Sequence, residues 1–112
     1  MLQAGIASLQ SEEEPDWPQM AALYAELAQT TGSAVVELNR AVAVAEAEGP
    51  EAALAIVERL DLDDYQYLHS TRAKLLRRLG RHDEARGAYR RALDLAQAEP
   101  ERRFLERRLA EL

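Results

Sequence analysis

The stretch Leu75-Leu76-Arg77-Arg78-Leu79-Gly80-Arg81-His82-Asp83-Glu84-Ala85 decides the fold of this chain. Apolar residues at three- and four-residue spacing lead into it from Tyr65 through Leu68 and Ala73 to Leu79, and they stop at Gly80. They restart at Ala85 and continue through Tyr89, Ala92-Leu93 and Leu95. That spacing predicts two amphipathic helices, about 65–79 and 82–97, joined by a tight turn. A glycine suits such a turn because the left-handed conformation costs it nothing sterically. Ala85 and Ala92 are small where the helices are expected to cross closely.

Upstream the same grammar recurs. Gly49-Pro50 separates a valine- and alanine-rich run at 34–48 from a run carrying Ala53, Leu54, Val57 and Leu60. Proline suits the first helical turn, so a helix is expected from 50 to about 60. Apolar residues surround most of the 34–48 cylinder, which predicts a central, buried helix. Before it, Asp16 can cap a helix with Gln19 three residues on, and Gly32 ends that helix before Ser33 caps the next. Trp17, Met20, Leu23-Tyr24 and Leu27 supply its apolar stripe, with Trp17 and Tyr24 expected as core anchors. A short helix is expected at 2–10, and Ser11-Glu12-Glu13-Glu14-Pro15 reads as a loop. Asp64 is a candidate cap for the helix at 65, and Pro100 can start a last helix carrying Phe104, Leu105 and Leu109.

Gly49 and Gly80 lie 31 residues apart, and Ala53 and Ala85 lie 32 apart. The pattern resembles tetratricopeptide (TPR) units, helical hairpins that stack on copies of themselves with a period near 34. The expected fold is all-α, a right-handed stack of about seven helices in one domain, 1–112. TPR-like hairpins fall at 34–60 and 65–97, with capping helices at 2–10, 17–31 and 100–111. Leu54, Val57, Leu75, Leu79, Ala85, Tyr89, Ala92 and Leu93 are the expected core.

Composition agrees. Of 112 residues, 47% are hydrophobic and only 5% aromatic, which favours helix over sheet. No apolar run nears the ~18 residues of a membrane span, and no signal peptide is evident. With no cysteine there is neither disulfide nor thiolate metal site. A cytoplasmic location is expected. The net charge of −6 hides a split. Residues 1–64 hold 13 acids against two bases, net −11, while 65–112 hold 12 bases against seven acids, net +5. Such asymmetry marks either a partner surface or halves that neutralise each other.

Four blocks carry a narrower resemblance. They are Asp16-Trp17-Pro18-Gln19-Met20 with Leu23-Tyr24; Val35-Val36-Glu37-Leu38-Asn39-Arg40-Ala41-Val42-Ala43; Leu75-Leu76-Arg77-Arg78-Leu79-Gly80-Arg81 after Tyr65, His69 and Arg72-Ala73; and Ala88-Tyr89-Arg90-Arg91-Ala92-Leu93 followed by Glu101-Arg102-Arg103-Phe104-Leu105. Together they resemble the C-terminal extension of one group of bacterial extracytoplasmic-function (ECF) sigma factors. Where that family often has Pro-Ser-Pro, this chain has Thr31-Gly32-Ser33-Ala34. The resemblance implies regulation of a sigma factor by an attached helical domain. Its partners would be the sigma domains of the parent chain, RNA polymerase or a regulatory protein. The sigma domains that bind DNA and the polymerase core are not in this chain, so DNA contact is expected only through them. A free-standing TPR adaptor is the alternative, followed by nucleic-acid contact through the basic half.

No residue pattern suggests catalysis. His69 and His82 lack metal-ligand spacing, and there is no phosphate loop or nucleophile elbow. No cofactor, metal or small-molecule substrate is expected. In stacked hairpins the first helix of each pair lines the concave side, which nominates Asn39, Arg40, Tyr67, Ser70, Lys74, Arg77 and Arg78 as an interaction groove. A basic groove suits an acidic extended segment. Asn39 could instead be a buried amide tying helices together. His69 is either a pH-sensitive contact or a packed residue. Arg72 falls on the apolar stripe of its helix, so its guanidinium is expected to meet a carboxylate or carbonyl rather than open solvent.

Overall fold

The computed structural model describes residues 15–112. Six helices and no strand make up these residues, so the chain is all-α. The helix expected at 2–10 lies outside them. The protein divides into two compact units, 1–60 and 61–112.

The first unit contains α1 (Trp17–Thr31), α2 (Ala34–Ala47) and α3 (Pro50–Val57). Asp16 caps α1, its Oδ1 accepting from the Gln19 N–H at 3.1 Å. Gly32 closes α1 at φ 65°, donating its N–H to the Ala28 carbonyl at 2.7 Å. Ser33 then caps α2 through the Val36 N–H. With two residues between helices, α1 and α2 fold back as a hairpin and pack together. Gly49 makes the next corner at φ 110° and ψ 164°, a region essentially closed to other residues. Pro50 follows at the helix start.

Helix α2 packs against both α1 and α3. That explains why Ala41, Ala43, Val44 and Ala45 are all buried although they span more than one face. The third face is open. Val35 and Val42 are 37% and 42% exposed, and Asn39 between them is exposed. The expectation of a buried helix therefore holds for only part of its surface. Among the described residues, α1 and α3 cover two sides of this cylinder, and the side bearing Val35, Asn39 and Val42 is exposed. On α1 the buried residues are Met20 and Ala21, while Trp17 and Tyr24 are only half-buried. The α-helical ladder of α3 ends at Val57, short of the expected Leu60. Bonds from Arg59 to Ile56 and from Leu60 to Val57 tighten the last turn to i→i−3 geometry.

The second unit contains α4 (Gln66–Arg78), α5 (His82–Leu95) and α6 (Glu99–Ala110). The turn at Gly80 has φ 77°. The Gly80 N–H reaches Arg77 O at 3.0 Å and the Arg81 N–H reaches Leu76 O at 2.9 Å. These two bonds make a Schellman cap and satisfy carbonyls that the helix end would orphan. Helix α5 packs on α4 and on α6. Ala85, Ala88, Ala92 and Ala96 form a buried small-residue ridge along it, and Tyr89, Leu68, Leu75 and Leu76 fill the core around that ridge. Leu79 and Leu93, expected there too, are half-buried.

Asp64 does not cap α4. The Tyr65 N–H turns back to Leu62 O at 2.9 Å, so the chain enters the helix one residue later, with Tyr65 at the cap position and no side-chain cap bond. Asp64 is exposed beside Arg91 at 3.5 Å. Arg102 ties α6 to the end of α5, donating to the Leu93 and Ala96 carbonyls at 3.0 and 3.2 Å. Leu105, 2% exposed, seats the same helix in the core.

Candidate interaction surface

Helix α4 turns Leu68, Ala73, Leu75 and Leu76 inward. The opposite face, at the same three- and four-residue spacing, presents Tyr67, Ser70, Lys74 and Arg78. These four nominated residues therefore share one side of one helix. Helix α4 carries Arg72, Lys74, Arg77 and Arg78 and no acid.

Tyr67 is 46% exposed, yet it is held in place. Its hydroxyl donates to Glu101 Oε1 on α6 at 2.6 Å, and Gln66 Nε2 donates to Oε2 of the same carboxylate at 2.8 Å. The Tyr65 ring meets the Tyr67 ring edge-on, with centroids 5.4 Å apart. The Tyr67 bond, then the Gln66 bond, holds the Glu101 carboxyl below its ordinary value. The same bond to Glu101 pushes the Tyr67 phenol up. An exposed aromatic ring fixed in one orientation loses little entropy on contacting a partner. Glu101 is the residue that sequence reasoning missed. It lies 34 positions from Tyr67, and no spacing within one helix signals it.

Arg77 leaves the stripe. It is half-buried and reaches Glu111 just beyond α6 at 3.6 Å, and its Nε is buried without an acceptor. Glu111 also takes Arg108 at 3.0 Å, whose guanidinium lies over the Phe104 ring at 5.0 Å. Ser70 turns its hydroxyl back to the Tyr67 carbonyl at 3.3 Å. Half-buried His69 has Nε2 at 2.7 Å from the Asp63 carbonyl. A carbonyl can only accept, so that nitrogen carries the proton.

Arg72 is half-buried on α4. At Glu84, the hydrogen bond from Arg81 chiefly holds the carboxyl low, with the charges of Arg81 and Arg72 adding to it. In the first unit Asn39 is exposed on α2. Arg40 is engaged by its own helix, its Nε and terminal nitrogen meeting both Glu37 oxygens at 2.6 and 3.1 Å. That bidentate bond lowers Glu37 and raises Arg40.

Among the described residues, no group of three or more His, Cys, Asp or Glu side chains could hold a metal ion. No helix there is long and apolar enough to cross a membrane.

The chain is similar to an uncharacterized protein of Rhizobium meliloti (strain 1021), with 45% identity over 117 aligned residues. The match takes in 99% of this chain but 28% of that protein, so the chain spans little more than a quarter of the curated relative it matches. No protein-family model and no solved structure matches the chain.

Proposed function

We propose that this chain is a regulatory protein-interaction domain of an ECF-type sigma factor, working in the cytoplasm through helical surface contacts and without catalysis. The two hairpins are read as TPR-like units, extended by flanking helices into a seven-helix, right-handed stack. The four-block sequence resemblance supports the sigma-factor assignment. The length of the Rhizobium meliloti relative fits it too, since most of that protein lies outside the match.

The observation that carries the interaction role is the outward stripe of α4. It combines a clamped, exposed tyrosine with Lys74 and Arg78, on a helix with no acid. A protein partner suits it better than nucleic acid. Arg81, Arg86, Arg91, Arg103 and Arg108 each lie within 2.6–3.5 Å of a carboxylate of this same unit. Bases neutralised in this way release few counterions on meeting phosphate.

The relative provides the test. It would be purified whole and without the segment that matches this chain, then combined with core RNA polymerase and a promoter library. The proposal expects core-dependent transcription from the whole protein, altered several-fold when the segment is removed. No association with core polymerase by either form would sink the sigma-factor assignment and leave the adaptor reading.

A further inference from the structure

Helix α6 and the residue just beyond it reach α4 with two acidic side chains, each on donors. Glu101 accepts from Gln66 and Tyr67 at one end of α4, and Glu111 approaches Arg77 at the other. The spacings match. Glu101 and Glu111 are ten residues apart, as are Tyr67 and Arg77. Ten helical residues rise about 15 Å, so α6 runs parallel to α4 with one carboxylate at each end of the shared face.

The two helices hold together differently from the other pairs of this unit. Helix α6 is seated on α5 by Leu105 and by the Arg102 bonds to the Leu93 and Ala96 carbonyls. Toward α4 it offers polar side chains that water also reaches. Glu111 is 55% exposed in its side chain, and Tyr67 is 46% exposed. Exposed pairs of this kind contribute little, so they exchange readily for equivalent ligands. The Arg77 end is also incomplete. Its ion pair is 3.6 Å long, and the buried Nε has no acceptor. A buried donor left unmade is costly, and a carboxylate in bidentate contact would satisfy it.

We propose that Glu101 and Glu111 form a displaceable acidic cover on α4, standing in for two carboxylates of an acidic partner segment. The fit defines that partner. Its two carboxylates must lie about 13–15 Å apart on one side, which means ten residues apart on a helix or four residues apart in an extended strand, where side chains alternate faces. The partner takes Gln66 and Tyr67 with one carboxylate and Arg77 with the other. Helix α6 stays on α5 while its two glutamates swing to water. This rests on the α4 surface being the docking face, as proposed above.

The test uses fluorescence anisotropy with a labelled extended pentapeptide bearing glutamate at its first and last positions, four apart and so on one face, with alanines between. Its partner in the comparison carries glutamine at both ends. The protein is the full chain and its double variant Glu101→Gln, Glu111→Gln, whose far-UV spectrum must match the parent. The cover predicts that the double variant binds the glutamate peptide about three- to tenfold more tightly than the parent. Tyr67→Phe with Arg77→Gln should abolish that gain, and the glutamine peptide should not discriminate. Equal or weaker binding by the double variant, or no binding to either form, would overturn the proposal. The transcription assay addresses the sigma-factor role without reference to these glutamates, so the two ideas can fail separately.

Discussion

Replacing Gly80 by alanine tests the turn that decides the fold. Gly80 sits at φ 77°, and a Cβ built there meets nothing within 4 Å. Sterics from neighbours therefore contribute nothing, and the whole cost is conformational. An L-residue in the left-handed region loses roughly 1–2 kcal/mol. That is a factor of about 5–30 in the ratio of folded to unfolded protein. The two Schellman bonds, to Arg77 O and Leu76 O, hold the residue at this φ, so the strain cannot relax without giving up one of them. Asparagine visits the left-handed region more readily, so Gly80→Asn should lose less than Gly80→Ala. Gly49, at φ 110° and ψ 164°, lies where almost only glycine goes, and Gly49→Ala should cost at least as much as Gly80→Ala. The assay is urea unfolding followed by far-UV circular dichroism, with free energies from linear extrapolation at constant m. If Gly80→Ala stays within about 0.5 kcal/mol of the parent, the ordinary scatter of surface changes, the argument is wrong. Equal losses for alanine and asparagine would also defeat it, because they would point to a contact rather than a dihedral.

Three further outcomes are expected. Gly87 lies inside α5 with open space around it and no positive φ, so Gly87→Ala should raise stability by about 0.5–1 kcal/mol in the same urea assay. Leu76 is fully buried between α4 and its neighbours, and Leu76→Ala should lower stability by about 2–5 kcal/mol, measured as a fall in the urea midpoint. Glu101 has a folded pKa below its unfolded value, so its contribution is present above the unfolded pKa and lost as pH falls through the folded one. Carboxyl NMR should show Glu101 titrating below the ordinary glutamate range, and Tyr67→Phe should move it back up.

Part of the candidate surface was legible from spacing. Tyr67, Ser70, Lys74 and Arg78 share a face because the helical period and the inward leucines of α4 leave them no other. Arg77, nominated with them, instead turns to Glu111 and is half-buried. The Glu37–Arg40 pair was available to sequence reasoning, since residues three apart on a helix adjoin. Nominating Asn39 and Arg40 together for one groove obscures it. They are successive residues and therefore sit about a hundred degrees apart on the cylinder, one exposed and one engaged.

The sequence by itself determined the all-α class, the corners at Gly32, Gly49 and Gly80, the Asp16 and Ser33 caps, and the small ridge of Ala85 and Ala92. Each depends on chemistry within about four residues, or on the size of one side chain, and such information is local. Only the tertiary structure decided that Val35 and Val42 face outward, that Trp17 is half-buried, and that Glu101 clamps Tyr67. Those outcomes depend on which sides of a helix its neighbours cover and on where a helix 34 residues away places its carboxylate. An apolar period says that a face will be buried. It does not say how much of the cylinder the available neighbours can reach.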